Sequence, residues 1–302
     1  MSEKKDLNKS YTYNKHNSFF SFSSINKEFN EDKITKKINS LYKNKIGLNK
    51  VKVNDVEILD KTVKDLNLEK NKKKKDNFSL SKNVIDEILS LNENEILRYL
   101  VFRYKYEIFP IIKKLDNYPP YLQIEPSSIC NYRCVFCFET DKTFTDKKNG
   151  FMGKMDKGLF KNIIDQIEGN VEFISLASRG EPLANPDLPE MLEYCSNKFL
   201  NLKINTNASL LDEKKIHSIL SGGVKTLVFS ADAADEKLYS ELRVNGNLKK
   251  VLKNIERFQN IREKKYPKNS IITRVSGVKF SEKQNFDEMI KLWSGLVDQV
   301  AF

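Results

Sequence analysis

Three of the four cysteines in this 302-residue chain, Cys130, Cys134 and Cys137, fall within the stretch CNYRCVFC. Thiolates are soft ligands, suited to zinc, to iron–sulfur clusters and to disulfide exchange. A structural zinc site takes four closed ligands, commonly as two pairs, and the only two histidines, His16 and His217, stand far from this loop in sequence. Thioredoxin-type exchange through Cys134 and Cys137 would leave Cys130 idle and would want the pair at a helix N-terminus. Unrelated structural cysteines are a further alternative. The reading that uses all three is an iron–sulfur cluster. A [4Fe-4S] cluster has four irons, so three cysteines leave one iron open to a substrate or cofactor, which a purely electron-carrying cluster would not need.

The elements that must position this loop alternate with some regularity. YLQIE reads as a strand running into the cysteines, and MDKGLFKNIIDQIEG as an amphipathic helix with Asp156 near its start and Gly169 at its end. VEFISLA, LKINTN, KTLVFSA and IITRVSGVKF read as further strands. LPEMLEYCSNKF, LLDEKKIHSILSGG, LKKVLKNIERFQNIREKK and QNFDEMIKLWSGL read as the helices between them, and VDQVAF as a sixth strand. Five βα units and one bare strand predict a parallel sheet with helices on its outer face, an α/β partial (β/α)6 barrel of TIM type. Reacting groups in such folds gather on loops at the carboxyl ends of the strands.

With the cysteines on the first such loop, CxxxCxxC with Phe136 before the last cysteine resembles the signature of the radical S-adenosylmethionine (SAM) superfamily. The resemblance implies that SAM chelates the open iron of a [4Fe-4S] cluster. An electron from the reduced cluster then cleaves SAM to methionine and a 5'-deoxyadenosyl radical that abstracts hydrogen from a substrate. Ser178 to Pro182 resemble the family's GGEP motif, with Arg179 in place of the first glycine, and imply that Gly180 and Glu181 meet the SAM ammonium group. Asn205, Thr206 and Asn207 resemble its TNG segment, with Ala208 where glycine is common. Ser230 and Asp232 resemble its S-x-D position facing the ribose or carboxylate, and Arg243 resembles an arginine that pairs with the SAM carboxylate. Ser276 and Gly277 lie where adenine contacts are expected. The implied partners are SAM, a peptide or small-metabolite substrate, and a flavodoxin- or ferredoxin-type electron donor. No general acid or base is assigned. Cys195, within an amphipathic helix, reads as a buried small hydrophobe, and His217 as remote from the site.

Residues 1–82 carry 20 Lys against 11 Asp and Glu, so most of the net charge of +11 resides there. The basic character is local and Asn-rich, which argues against a nucleic-acid surface. This segment reads as a poorly ordered basic extension, residues 83–118 as a helical pre-barrel segment, and 119–302 as the core. Few cysteines and no apolar run of signal or membrane-spanning length point to a soluble protein of the reducing cytoplasm. The wording SADAADEKLYSELRVNGN and the closing VDQVAF resemble the group whose C-terminal SPASM or twitch extension holds auxiliary clusters. The bare sixth strand suggests a chain cut short, because it would leave an open sheet edge. The alternative function is a non-catalytic iron–sulfur or zinc-binding protein that docks a partner through its basic extension.

Overall fold

The computed structural model describes residues 19–22 and 31–302. The described chain opens with β1 (Phe19–Ser21), α1 (Glu31–Lys43), α2 (Val56–Leu66), α3 (Lys82–Ser90) and α4 (Glu93–Ile108). Next, β2 (Tyr121–Ile124) runs into the cysteine loop, which holds β3 (Arg133–Cys134), and into the single turn α5 (Lys142–Thr145). The alternation continues through α6 (Lys157–Ile167), β4 (Phe173–Leu176), α7 (Leu188–Cys195), β5 (Asn201–Thr206), α8 (Glu213–Ser221) and β6 (Val224–Ser230). It ends with α9 (Glu236–Leu242), β7 (Arg243–Val244), α10 (Leu248–Lys265), β8 (Ile272–Ser276), α11 (Phe286–Trp293) and β9 (Gln299–Ala301).

The main sheet has the order β1-β9-β8-β6-β5-β4-β2, and every pair from β2 to β9 is parallel. This is the expected partial (β/α)6 arrangement, in which β2 and β9 do not pair with each other among the described residues. Asp or Asn side chains start its helices where the strand-to-helix loops end. Asp156, Asp212, Asp235, Asn247 and Asn285 each accept a hydrogen bond from a free amide of the first turn. Strand alternation then sends Ile174, Leu176, Leu202, Ile204, Leu227 and Phe229 into one core with the helix residues Phe160, Ile164, Met191, Ile216 and Phe258. Cys195 is buried in this core, and burial pushes its thiol up to about 12. Among the described residues no helix is long and apolar enough to cross a membrane.

Residues 31–82 are not the poorly ordered extension expected from their composition. Ile34, Ile38 and Leu41 of α1, Leu59, Val63 and Leu66 of α2, and Phe78 and Leu80 beyond it form a second core with α3 and α4. Their spacing of three and four residues turns one apolar stripe inward and leaves the lysines outside. Of the expected extension, residues 1–18 and 23–30, with His16, lie outside the described residues.

This helical layer sits at the amino ends of the strands. Phe102 stacks on Phe173, the first residue of β4, with ring centres 4.0 Å apart and planes 5° apart. Glu172 pairs with Arg98, Arg274 of β8 donates to Asn83 Oδ1 (2.6 Å), and Gln299 of β9 donates to Asp86 Oδ2 (2.7 Å). The edge of β9 is also covered. β1 pairs with it antiparallel, in the register Phe19↔Ala301, Phe20↔Val300 and Ser21↔Gln299. The open edge expected of the sixth strand is therefore absent, because a segment from the amino-terminal region supplies its missing hydrogen-bond partners.

Candidate functional site

The cysteine loop leaves β2 at the carboxyl end of the sheet and is held there by its neighbours. Gly180, after β4, comes so close that a β-carbon on it would lie 2.2 Å from the Ser127 carbonyl oxygen and 2.7 Å from Ile129 N. The adjacent Glu181 N–H donates to Ile129 O (3.0 Å). A second tie is the two-stranded antiparallel ladder of β3 and β7, which sets Cys134 opposite Arg243, with Val135 N–H donating to Leu242 O (2.9 Å).

The thiols are free, and Cys134 is the most buried of the three. Burial pushes the Cys130 thiol up to about 11. Cys134 is also raised by burial, against the opposing pull of Arg243. Such thiols are protonated near neutral pH and become thiolates on binding metal. Among the described residues no three His, Cys, Asp or Glu side chains converge as the ligands of one metal ion do. A cluster asks instead that each sulfur reach its own iron. Cys130 Sγ receives Tyr132 N–H (3.4 Å) and the Asn207 amide (3.9 Å), and Cys134 Sγ faces Arg243 Nη1 (3.8 Å).

The acidic residues expected to face a ligand are turned inward. The Glu181 carboxylate is 2% exposed and accepts from Thr206 Oγ1 (2.6 Å), Asn207 N (2.8 Å) and Leu183 N (3.0 Å), tying the end of β4 to the end of β5. Burial raises its carboxyl against the pull of these donors. Asp232 is fully buried. Its Oδ1 accepts Val278 N–H (2.6 Å), and its Oδ2 lies 2.5 Å from Arg243 Nε in an ion pair poorly aligned for hydrogen bonding. Arg243 in turn is 6% exposed, with its guanidinium 5.8 Å from the centre of the Phe136 ring. Glu181 and Asp232 thus brace the loops from behind, a use of carboxylates that their sequence positions do not reveal.

The remaining expected residues line the open side. Ser230 and Ser276 are paired in register on β6 and β8, half-buried. On β5, Asn205 stands on the face opposite Ile204, and its Oδ1 is buried without a partner among the described residues. Thr206 and Asn207 continue into Ala208, whose φ of 60° is the left-handed conformation that favours glycine. Ala208 is held there by its N–H to Thr206 Oγ1 (3.0 Å) and by Asn254, which donates to its carbonyl (2.9 Å).

Four residues escaped the sequence reading. Arg179, noted only as a departure, gives Glu125, just after β2, its main-chain N–H (2.7 Å) and Nη2 (2.8 Å), and its guanidinium lies 5.3 Å from the Phe144 ring centre. Asn131 accepts from Asn207 (3.0 Å) and donates to Ser209 Oγ (2.8 Å), joining the cysteine loop to the turn after β5. Glu125 adjoins a strand end and Asn131 follows a cysteine, positions that could have marked them. Asn254, on α10, carries no such signal. His217 contacts Tyr266 (2.9 Å), away from the loop. One cleft beside Arg98 and Lys105 and another beside Arg262 and Tyr266 are likewise away from the cysteines.

A probable GTP 3',8-cyclase of Methanococcus maripaludis is 30% identical over 137 residues, 45% of this chain and 43% of its own length. A tungsten-containing aldehyde ferredoxin oxidoreductase cofactor-modifying protein of Pyrococcus furiosus is 32% identical over 114 residues, 37% of this chain and 30% of its own. This chain therefore spans less than half the length of either. Among solved structures, Streptococcus suis SuiB bound to the precursor peptide SuiA aligns with a TM-score of 0.47 and 22% identity, over 67% of this chain and 42% of that one. The family model described as the radical SAM superfamily matches residues 124–291, more than half of the chain and the whole of the site from the cysteine loop to Ser276. The chain belongs to the radical SAM superfamily, whose members use a [4Fe-4S] cluster and SAM.

Proposed function

We propose that this chain carries the catalytic core of an enzyme that reductively cleaves SAM and uses the resulting 5'-deoxyadenosyl radical to abstract hydrogen from a substrate. The observation that carries the reading is the set of three free thiols on one loop, at the carboxyl end of the first barrel strand, within a matched radical SAM region. The residues fit the cofactors. All three donors are sulfur, Gly180 leaves no room for a side chain against the cysteine loop, and the buried Asn205 Oδ1 lacks a partner among the described residues. When bound, the cluster and SAM together supply the electron transfer and the radical.

The protein's part is to bind, orient and exclude. Cys130, Cys134 and Cys137 would hold three irons. Gly180 keeps the loops after β2 and β4 in contact, while Glu181 locks the latter to the end of β5. Asn205, Ser230 and Ser276 are the polar groups on the open face with which SAM would pair, and Asp232 acts through Arg243. We take the substrate to be a peptide or small metabolite, the donor a flavodoxin- or ferredoxin-type protein, and the compartment the reducing cytoplasm, in keeping with four free cysteines.

Anaerobic reconstitution tests the reading. Wild type should take up four irons per chain and release 5'-deoxyadenosine from SAM after dithionite reduction, and Cys134→Ala should do neither. Stoichiometric zinc uptake without SAM cleavage would refute it and restore the non-catalytic alternative.

A further inference from the structure

Arg243 sits on the strand that pairs with the cysteine loop and is held from several sides. The β3–β7 ladder fixes its backbone opposite Cys134, Asp232 Oδ2 forms an ion pair with Nε at 2.5 Å, and the guanidinium carbon lies over the Phe136 ring, 5.8 Å from its centre. Its Nη1 is aimed at Cys134 Sγ at 3.8 Å. The side chains of Arg243 and Asp232 are 7% and 0% exposed, so solvent and salt screen little of the charge that reaches the sulfur. Swinging toward a ligand would strip Asp232 of its counter-charge while leaving it buried, which is strongly disfavoured.

We infer that Arg243 is a tuning residue, directing a cationic N–H at the Cys134 sulfur, and that Asp232 sets how much of that charge the sulfur feels. The inference rests on Cys130, Cys134 and Cys137 being the cluster ligands. Reduction adds one electron to the cluster. A positive donor at a ligating sulfur stabilises the more negative, reduced state and raises the potential, as hydrogen bonds to cluster sulfurs do. Two substitutions in one ion pair should then act with opposite sign. Arg243→Gln removes the cation and leaves the Asp232 charge behind it, whereas Asp232→Asn leaves the cation uncompensated.

The test is a redox titration of the reconstituted, SAM-free protein followed by electron paramagnetic resonance, with SAM binding to the oxidised protein measured separately. Arg243→Gln should lower the midpoint by the equivalent of at least tenfold in the equilibrium, about 59 mV for a one-electron couple. Asp232→Asn should raise it, and Arg243→Lys should lower it by less than Arg243→Gln does. If Arg243→Gln takes up no cluster, the opposite shifts of Arg243→Lys and Asp232→Asn carry the same test. Unchanged midpoints with weakened SAM binding would overturn the inference and make Arg243 a SAM contact. Wild type that takes up no cluster would instead overturn the cluster assignment, so the two failures are distinguishable.

Discussion

Gly180→Ala probes the closest approach at the site. The added β-carbon would sit 2.2 Å from Ser127 O, 2.6 Å from Ser128 C and 2.7 Å from Ile129 N. A relaxed C···O contact is ~3.3 Å, so the two segments must part by about 1 Å. All three obstructing atoms are main chain, so no side-chain rotation relieves the clash. Overpacking of this kind costs about 1–3 kcal/mol, and an obstacle of backbone alone argues for the upper end. At roughly 2–4 °C per kcal/mol for a chain of this order of size, ~3 kcal/mol lowers Tm by about 6–12 °C. Cys130 follows Ile129 directly, so the displaced loop carries a proposed ligand with it and bound iron should be lost faster to a chelator. Gly153→Ala is the matched control. That glycine contacts the same loop through hydrogen bonds of its main chain with Ser128, yet a β-carbon there meets no described residue within 4 Å. It should stay within about 0.5 kcal/mol of wild type. Thermal melts of the apo-protein and iron release from the reconstituted protein give the readout. If Gly180→Ala melts and holds iron as Gly153→Ala does, close packing is not what positions the cysteine loop.

Two further predictions concern the helical layer. Phe102→Ala should destabilise the protein by about 3–5 kcal/mol in denaturant unfolding, and a double-mutant cycle with Phe173→Ala should return a coupling of about 0.5–1.5 kcal/mol. A coupling near zero would mean that the Phe102–Phe173 stack does not hold α4 to the sheet. Asp86 is raised from 3.8 chiefly by burial, against hydrogen bonds from Ser21 and Gln299 and the charge of Arg274. The folded state therefore holds this proton more tightly than the unfolded state. Its contribution is present below 3.8 and is lost as pH rises through the raised value. Wild type should lose stability relative to Asp86→Asn across that window, as measured by unfolding at a series of pH values, and parallel profiles would remove Asp86 as the source.

The amino-terminal half shows why some structure stayed hidden. The apolar stripe of Ile34, Ile38 and Leu41 has helical spacing, but it is thin and set among Lys and Asn, so composition outweighed period. Its stability comes from packing against Leu97, Leu100 and their neighbours on α4, which a local window does not contain. Phe19, Phe20 and Ser21 carry too little pattern to mark a strand, and only their register on β9, about 280 residues away, makes them one.

The sequence by itself determined the chemistry and the order of the parts: three thiols on the first strand-end loop, strand following helix, and polar residues at each carboxyl strand end. Ligand type is a property of side chains, and βα order follows from local periodicity, so both are written along the chain. Tertiary structure alone decided how those residues are used. Glu181 and Asp232 face inward because Thr206, Asn207, Val278 and Arg243 meet their oxygens, and Arg243 faces Cys134 because β7 pairs with β3. Burial and partnership join Arg243 to Cys134, 109 positions away, and no spacing rule on one stretch of sequence encodes which residues will touch.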